Sequence, residues 1–193
     1  MKIVCIGDSL TEGDYGVYGK SGIANVNPKS YPYFLQLLTD ANVENYGKCG
    51  YNSSSYLKYY KSGAVDVHNA DKIIVMLGTN GGLDPNSNTQ GNADYDELIK
   101  LLRNDAPNAV IYLCTPPHAT ADKSKSNYGY AANVDNAVQF VREYSRQHNL
   151  KIIELAKCQL FKSENEVVLQ PNDGLHFSEV GYGIMALYIK DNL

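Results

Sequence analysis

The sequence predicts an α/β domain built on a parallel sheet. Three observations carry this. Five strand-like runs, at 3–6, 43–45, 72–77, 110–113 and 151–155, alternate with helical segments from end to end. The clearest of them, 3–6 and 72–77, are apolar without interruption, as central strands buried on both faces are. Turns bearing Ser9, Gly47 to Gly50 and Asn80 follow directly on three of the runs. In a parallel sheet such turns share one rim, where open α/β folds bind ligands.

Taken in order, the first run ends at Gly7 and delivers Ser9 two residues later. The stretch 12–30 is rich in Gly, Asn and Tyr, has no helical period and reads as a loop above that rim. Residues 31–41 carry Phe34, Leu35, Leu37 and Leu38 with Pro32 in the first turn, a helix. The run 43–45 leads into two glycines and three serines, a sharp turn and a capped helix start, with a Tyr-rich helix near 56–61. After the run 72–77 and a polar loop at 84–92, Tyr95, Leu98, Ile99, Leu101 and Leu102 give one helix face. Prolines end the run 110–113, and 118–133 reads as a second long polar loop. Val134, Ala137, Val138, Val141 and Tyr144 stand at spacings of three and four, an amphipathic helix. The run 151–155 is followed by a loop at 168–176, and Ser178 caps a final helix carrying Val180, Ile184, Leu187 and Tyr188.

A chain of 193 residues is sized for one domain, spanning 1–193, and can bury roughly 70% of its unfolded surface. Net charge is −4 and there is no Lys/Arg run, so neither nucleic acid nor an anionic membrane is an expected partner. The first apolar run is four residues long, too short for a signal-peptide core, which predicts a cytoplasmic protein; a trimmed leader would leave no trace. Cys5, Cys49, Cys114 and Cys158 form no C-x-x-C pair, so no disulfide framework and no metal are expected. There are 16 tyrosines and no tryptophan, and several tyrosines fall in the loops that would line a cleft.

Four segments bear on one reaction. Acyl transfer needs a hydroxyl, a base to activate it, a group to orient the base, and donors for the oxyanion. Ser9 supplies the hydroxyl, His176 the base, and Asp173, three residues earlier, the orienting carboxylate. The backbone N–H groups of Ser9 and Gly50 and the Asn80 amide are the oxyanion donors, with glycine at 50 allowing close backbone approach. Asp8, Tyr51 and His118 are candidate substrate contacts on the same rim. Each residue also has a plainer use. Ser9 and Glu12 fit a helix capping box, Gly47 and Asn80 fit turns, and Asp173 fits a turn former.

Together the four segments resemble the GDSL, or SGNH, family of serine hydrolases. Gly7-Asp8-Ser9-Leu10 matches the first family block, Asn45 to Gly50 the second, Gly78-Thr79-Asn80-Gly81 the third in part, and Asp173-Gly174-Leu175-His176 the last. The blocks stand in the family's order over residues 7 to 176. The resemblance implies a flavodoxin-like three-layer α/β/α sandwich with a five-stranded parallel sheet, and an acyl-serine mechanism without cofactor. One departure is Gly81, where the family usually has aspartate. Two other motifs are incomplete. Gly19-Lys20-Ser21 lacks the upstream glycine of a phosphate-binding loop, and Thr11 replaces the second glycine of an α/β-hydrolase elbow.

The expected function is hydrolysis of small acyl esters, acetyl foremost, on a small-molecule substrate such as a carbohydrate. The alternatives are a lysophospholipase or thioesterase, a non-catalytic binding domain on the same scaffold, and a flavin carrier. With His176 as base, activity should rise through an apparent pKa of roughly 6 to 7.

Overall fold

The computed structural model describes residues 1–18, 24–26 and 29–193. In chain order the first elements are β1 (Lys2–Gly7), α1 (Ser9–Glu12), β2 (Asp14–Tyr18), β3 (Ala24–Val26), α2 (Tyr31–Thr39), β4 (Asn42–Gly47) and α3 (Ser53–Lys61). They are followed by β5 (Lys72–Met76), α4 (Gln90–Asp105), β6 (Val110–Cys114), α5 (Tyr130–His148), β7 (Lys151–Ile153), α6 (Glu166–Leu169) and α7 (Glu179–Lys190).

Five strands form one sheet in the order β4-β1-β5-β6-β7, and every neighbouring pair is parallel. Counted within the sheet this is the flavodoxin-like order 2-1-3-4-5, whose ligand crevice lies where the order reverses, between β1 and β5. Ser9 follows the first of these strands and Asn80 the second.

Successive side chains of a strand face opposite ways, and here each face is apolar, which is why the runs read as continuous. Val4, Ile6, Ile73, Val75 and Leu113 pack with Tyr56 and Leu57 of α3, Leu98, Ile99 and Leu102 of α4 and Val141 of α5. Ile3, Cys5, Ile74, Met76 and Cys114 pack with Tyr31 and Leu35 of α2 and Met185, Ala186 and Ile189 of α7. The result is the three-layer α/β/α arrangement.

The segment 12–30 differs from expectation. It carries β2 and β3, an antiparallel pair with Asp14 opposite Val26 and Tyr18 opposite Ala24. Strands of five and three residues, one interrupted by Gly16, are too short to set up a period of two. Gly19-Lys20-Ser21 lies outside the described residues. The helices α4 and α5 start at Gln90 and Tyr130, before their apolar periods, because their first turns are polar. The last strand ends at Ile153, and Leu155 opens a short 3-10 turn instead of extending it. α6 occupies part of the expected loop at 168–176.

Gly47 is not a turn glycine. It ends β4 in register with Gly7, and a Cβ there would stand 2.1 Å from the Glu12 nitrogen. Glycine is needed because α1 crosses the strand end at contact distance. Among the described residues no helix is long and apolar enough to cross a membrane, and no cluster of three metal-ligating side chains occurs. The four cysteines are free.

Candidate active site

Asp8 opens the site. Its Oδ1 accepts the Leu10 N–H at 3.0 Å, so Asp8, not Ser9, caps α1. Ser9 is thereby the first helical residue, where a backbone N–H has no partner within the helix. The capping box with Glu12 does not form. Glu12 Oε2 instead accepts the Cys49 N–H at 2.5 Å, and Lys48 Nζ lies 3.7 Å from its other oxygen. Glu12 therefore ties α1 to the Gly47 to Gly50 turn. Asn45 braces the same junction, its Nδ2 donating to the Thr11 carbonyl at 2.9 Å.

The loop before α7 brings His176 to Ser9. His176 Nε2 lies 2.9 Å from Ser9 Oγ and its Nδ1 lies 2.6 Å from Asp173 Oδ2. Asp173 Oδ1 accepts the backbone N–H groups of Leu175 and His176, each at 2.9 Å, and Asn127 Nδ2 donates to Oδ2 at 2.8 Å. Four donors leave the carboxylate one orientation. The loop itself is pinned on both sides. Gln170 Nε2 donates to the His118 and Leu175 carbonyls, Thr120 N–H to the Gly174 carbonyl, and Ser178 Oγ caps α7 through the Gly181 N–H.

All three groups are nearly sealed from solvent, so their electrostatics are strong. Burial alone would draw the His176 pKa down. The hydrogen bond and charge of Asp173, with the charges of Asp14 and Asp8, outweigh it and hold His176 above its ordinary 6.5. Burial would raise Asp173, but His176 and the two loop N–H groups keep it below the usual carboxylate value. His176 acts as a base only when neutral, and a raised pKa extends its protonated range upward. The acid limb of kcat/KM is expected to have its midpoint above 6.5, with activity rising through it as pH increases. A midpoint below 6.5, measured on a non-ionising ester, would contradict this.

The oxyanion candidates are brought together in part. Asn80 Nδ2 donates to the Tyr51 carbonyl at 3.0 Å, joining the turn after β5 to the turn after β4. Its second amide N–H is not used in that bond. Gly50 is exposed with φ +76°, and among the described residues nothing accepts its N–H. A Cβ at 50 would meet nothing within 4 Å. The glycine is thus required by its left-handed backbone, not by close approach as the sequence suggests. Gly81, the departure from the family pattern, has φ +77°, a conformation that suits glycine far better than aspartate.

The three candidate substrate contacts have other partners. Asp8 is fully buried, and burial pushes its carboxyl up to about 6. The Tyr51 ring packs edge-on against Tyr56 and Tyr59. His118 Nε2 lies 2.6 Å from Glu166 Oε1, bracing the start of α6. A groove of about 770 Å³ lies between the 84–89 loop, α4 and α5, and its lining includes none of the residues around Ser9.

Sequence reasoning missed Asn127, Asp14 and Gly16. All three lie in polar stretches without a period, and no motif marks them. Gly16 has φ +69°, and a Cβ on it would stand 2.5 Å from Asp173 Oδ2. β2 thus packs its backbone on the Asp173 carboxylate. Gly16→Ala is expected to displace that carboxylate and lower kcat/KM by about 10²-fold. Steady-state kinetics on a small ester would check it.

Comparison with known proteins bears on the family and the fold. No curated protein matches the chain. Among solved structures it is similar to a lipase/acylhydrolase from Enterococcus faecalis, at 25% identity and a TM-score of 0.72 over 98% of this chain and 93% of that one. It is similar in fold to a carbohydrate acetylesterase family member from Sinorhizobium meliloti, at 19% identity and TM-score 0.69, covering 98% and 95% of the two chains. The aryl esterase of M. smegmatis is similar at 17% identity and TM-score 0.69, covering 100% and 99%. The sequence pattern of the GDSL-like lipase/acylhydrolase family matches residues 5–184 and takes in every segment that builds the site, so the chain belongs to that family.

Proposed function

We propose that the protein is a serine esterase acting on small acyl esters, acetyl foremost, with acetylated carbohydrates the favoured class. The observation that carries the reading is the unbroken relay from Ser9 Oγ to His176 Nε2 at 2.9 Å and from His176 Nδ1 to Asp173 at 2.6 Å. His176 takes the Ser9 proton as Oγ attacks the acyl carbon. The oxyanion is received by the N–H groups of Ser9 and Gly50 and by the free amide N–H of Asn80. The imidazolium then gives its proton to the leaving alcohol, and a water molecule repeats the sequence on the acyl-Ser9 ester. Asp173 holds the ring and stabilises the imidazolium without itself being protonated.

The charges around His176 support a neutral substrate. Asp8, Asp14 and Asp173 all act on the ring, and Glu12 on Asp14. Phosphate-bearing alcohols and thiols, as in lysophospholipids or nucleotide thioesters, would be repelled there. A panel of p-nitrophenyl esters from C2 to C10, run beside acetylated sugars, tests the reading. The fastest turnover is expected at C2 to C4; fastest turnover at C8 or longer would overturn the chain-length assignment.

A further inference from the structure

Asp14 opens β2 and lies as deep as the reacting groups, 2% exposed against 4% for both Ser9 and His176. Its two oxygens differ. Oδ1 accepts the Gly16 N–H at 2.8 Å. Oδ2 faces His176 Nε2 at 3.5 Å and accepts no hydrogen bond among the described residues. Nε2 is already engaged with Ser9 Oγ, and one ring nitrogen cannot direct one proton to both. The backbone of Asp14 is fixed as well, since the Tyr182 hydroxyl donates to its carbonyl at 2.5 Å. A held carboxylate oxygen with no donor among the described residues thus stands beside the atom that hands a proton to the leaving alcohol. Such an oxygen has lone pairs available to accept a hydrogen bond from a ligand.

In the proton-donating step the ester oxygen of the alcohol must come within about 2.6–3.2 Å of Nε2. A hydroxyl on the adjacent carbon then comes within reach of Oδ2. We propose that Asp14 is a specificity-determining residue whose Oδ2 accepts a hydrogen bond from a hydroxyl vicinal to the scissile ester, selecting monoesters of diols, such as partly acetylated sugars, over esters of simple alcohols. The proposal rests on the serine esterase reading and adds the chemistry of the leaving group to it.

The test uses two acetates that differ in one donor, 2-hydroxyethyl acetate and 2-methoxyethyl acetate, followed by pH-stat. Wild-type kcat/KM is expected to favour the hydroxy ester by tenfold or more. In Asp14→Ala that preference should fall to within twofold, and in Asp14→Asn it should fall part of the way, whatever happens to the absolute rates. A wild-type preference within twofold would overturn the proposal without any variant, as would a preference that survives in Asp14→Ala. Hydrolysis of both esters without preference removes this proposal alone, whereas hydrolysis of neither, nor of any ester in the panel, removes the esterase reading with it.

Discussion

Ser9→Ala is expected to reduce kcat on p-nitrophenyl acetate by about 10⁴- to 10⁶-fold. The loss is large because, on this reading, the hydroxyl is the group that forms the covalent bond, and among the described residues no second hydroxyl or thiol is hydrogen-bonded to His176. Binding and the oxyanion donors remain, so a residual rate above that in water is expected. The fold should tolerate the change. Ser9 Oγ is not part of the α1 cap, which is built by Asp8, and the substitution removes one hydrogen bond, worth about 1 kcal/mol. Thermal melting followed by circular dichroism should therefore stay near the wild-type value while activity vanishes. A variant that melts normally and keeps more than a tenth of the activity would exclude Ser9 as nucleophile.

Asp173→Asn is expected to cost about 10⁴-fold in kcat with little change in KM. The carboxylate now accepts from His176 Nδ1, from two loop N–H groups and from Asn127. An amide retains one accepting oxygen. If that oxygen keeps the two loop N–H groups, its NH2 faces Nδ1, which must then lose its proton. The proton moves to Nε2, and the ring faces Ser9 as a donor, unable to act as base. The same substitution removes the negative charge that raises His176. The acid limb of the remaining activity should therefore shift to lower pH, a change that loss of folding alone would not produce. A variant with wild-type kcat would remove Asp173 from the mechanism.

The parts of the molecule that were legible beforehand are those where one residue type answers one demand. Strands buried on both faces, such as β1 and β5, must be apolar throughout, and they read so. Ser9, Asp173 and His176 stand at junctions where strand or helix periods stop, and that placement marked them before any distance was known. The pairing of β2 and β3 was not legible, because strands this short carry no period and β2 is placed by its contact with Asp173. Gly16 illustrates this, since its requirement comes from the Asp173 carboxylate 157 positions away in sequence. The capping box, the plainer use of Ser9 and Glu12, does not form for a related reason. Ser9 and Glu12 have the right spacing, but Glu12 finds a tertiary partner in the Cys49 N–H, and Asp8 is left to cap the helix. Gly50 was identified as a needed glycine on the wrong ground, close approach, where φ +76° is the reason.

The central claim is that Ser9 is a nucleophile activated by His176. A fluorophosphonate probe tests it most directly, because stable phosphonylation requires an activated serine and no particular alcohol. Intact-mass analysis of the treated protein is expected to show one adduct, mapped to Ser9 by peptide sequencing. The adduct should be absent in Ser9→Ala and formed far more slowly in Asp173→Asn. No adduct on the folded wild-type protein, or an adduct that persists in Ser9→Ala, would contradict the account and leave the scaffold as a binding domain.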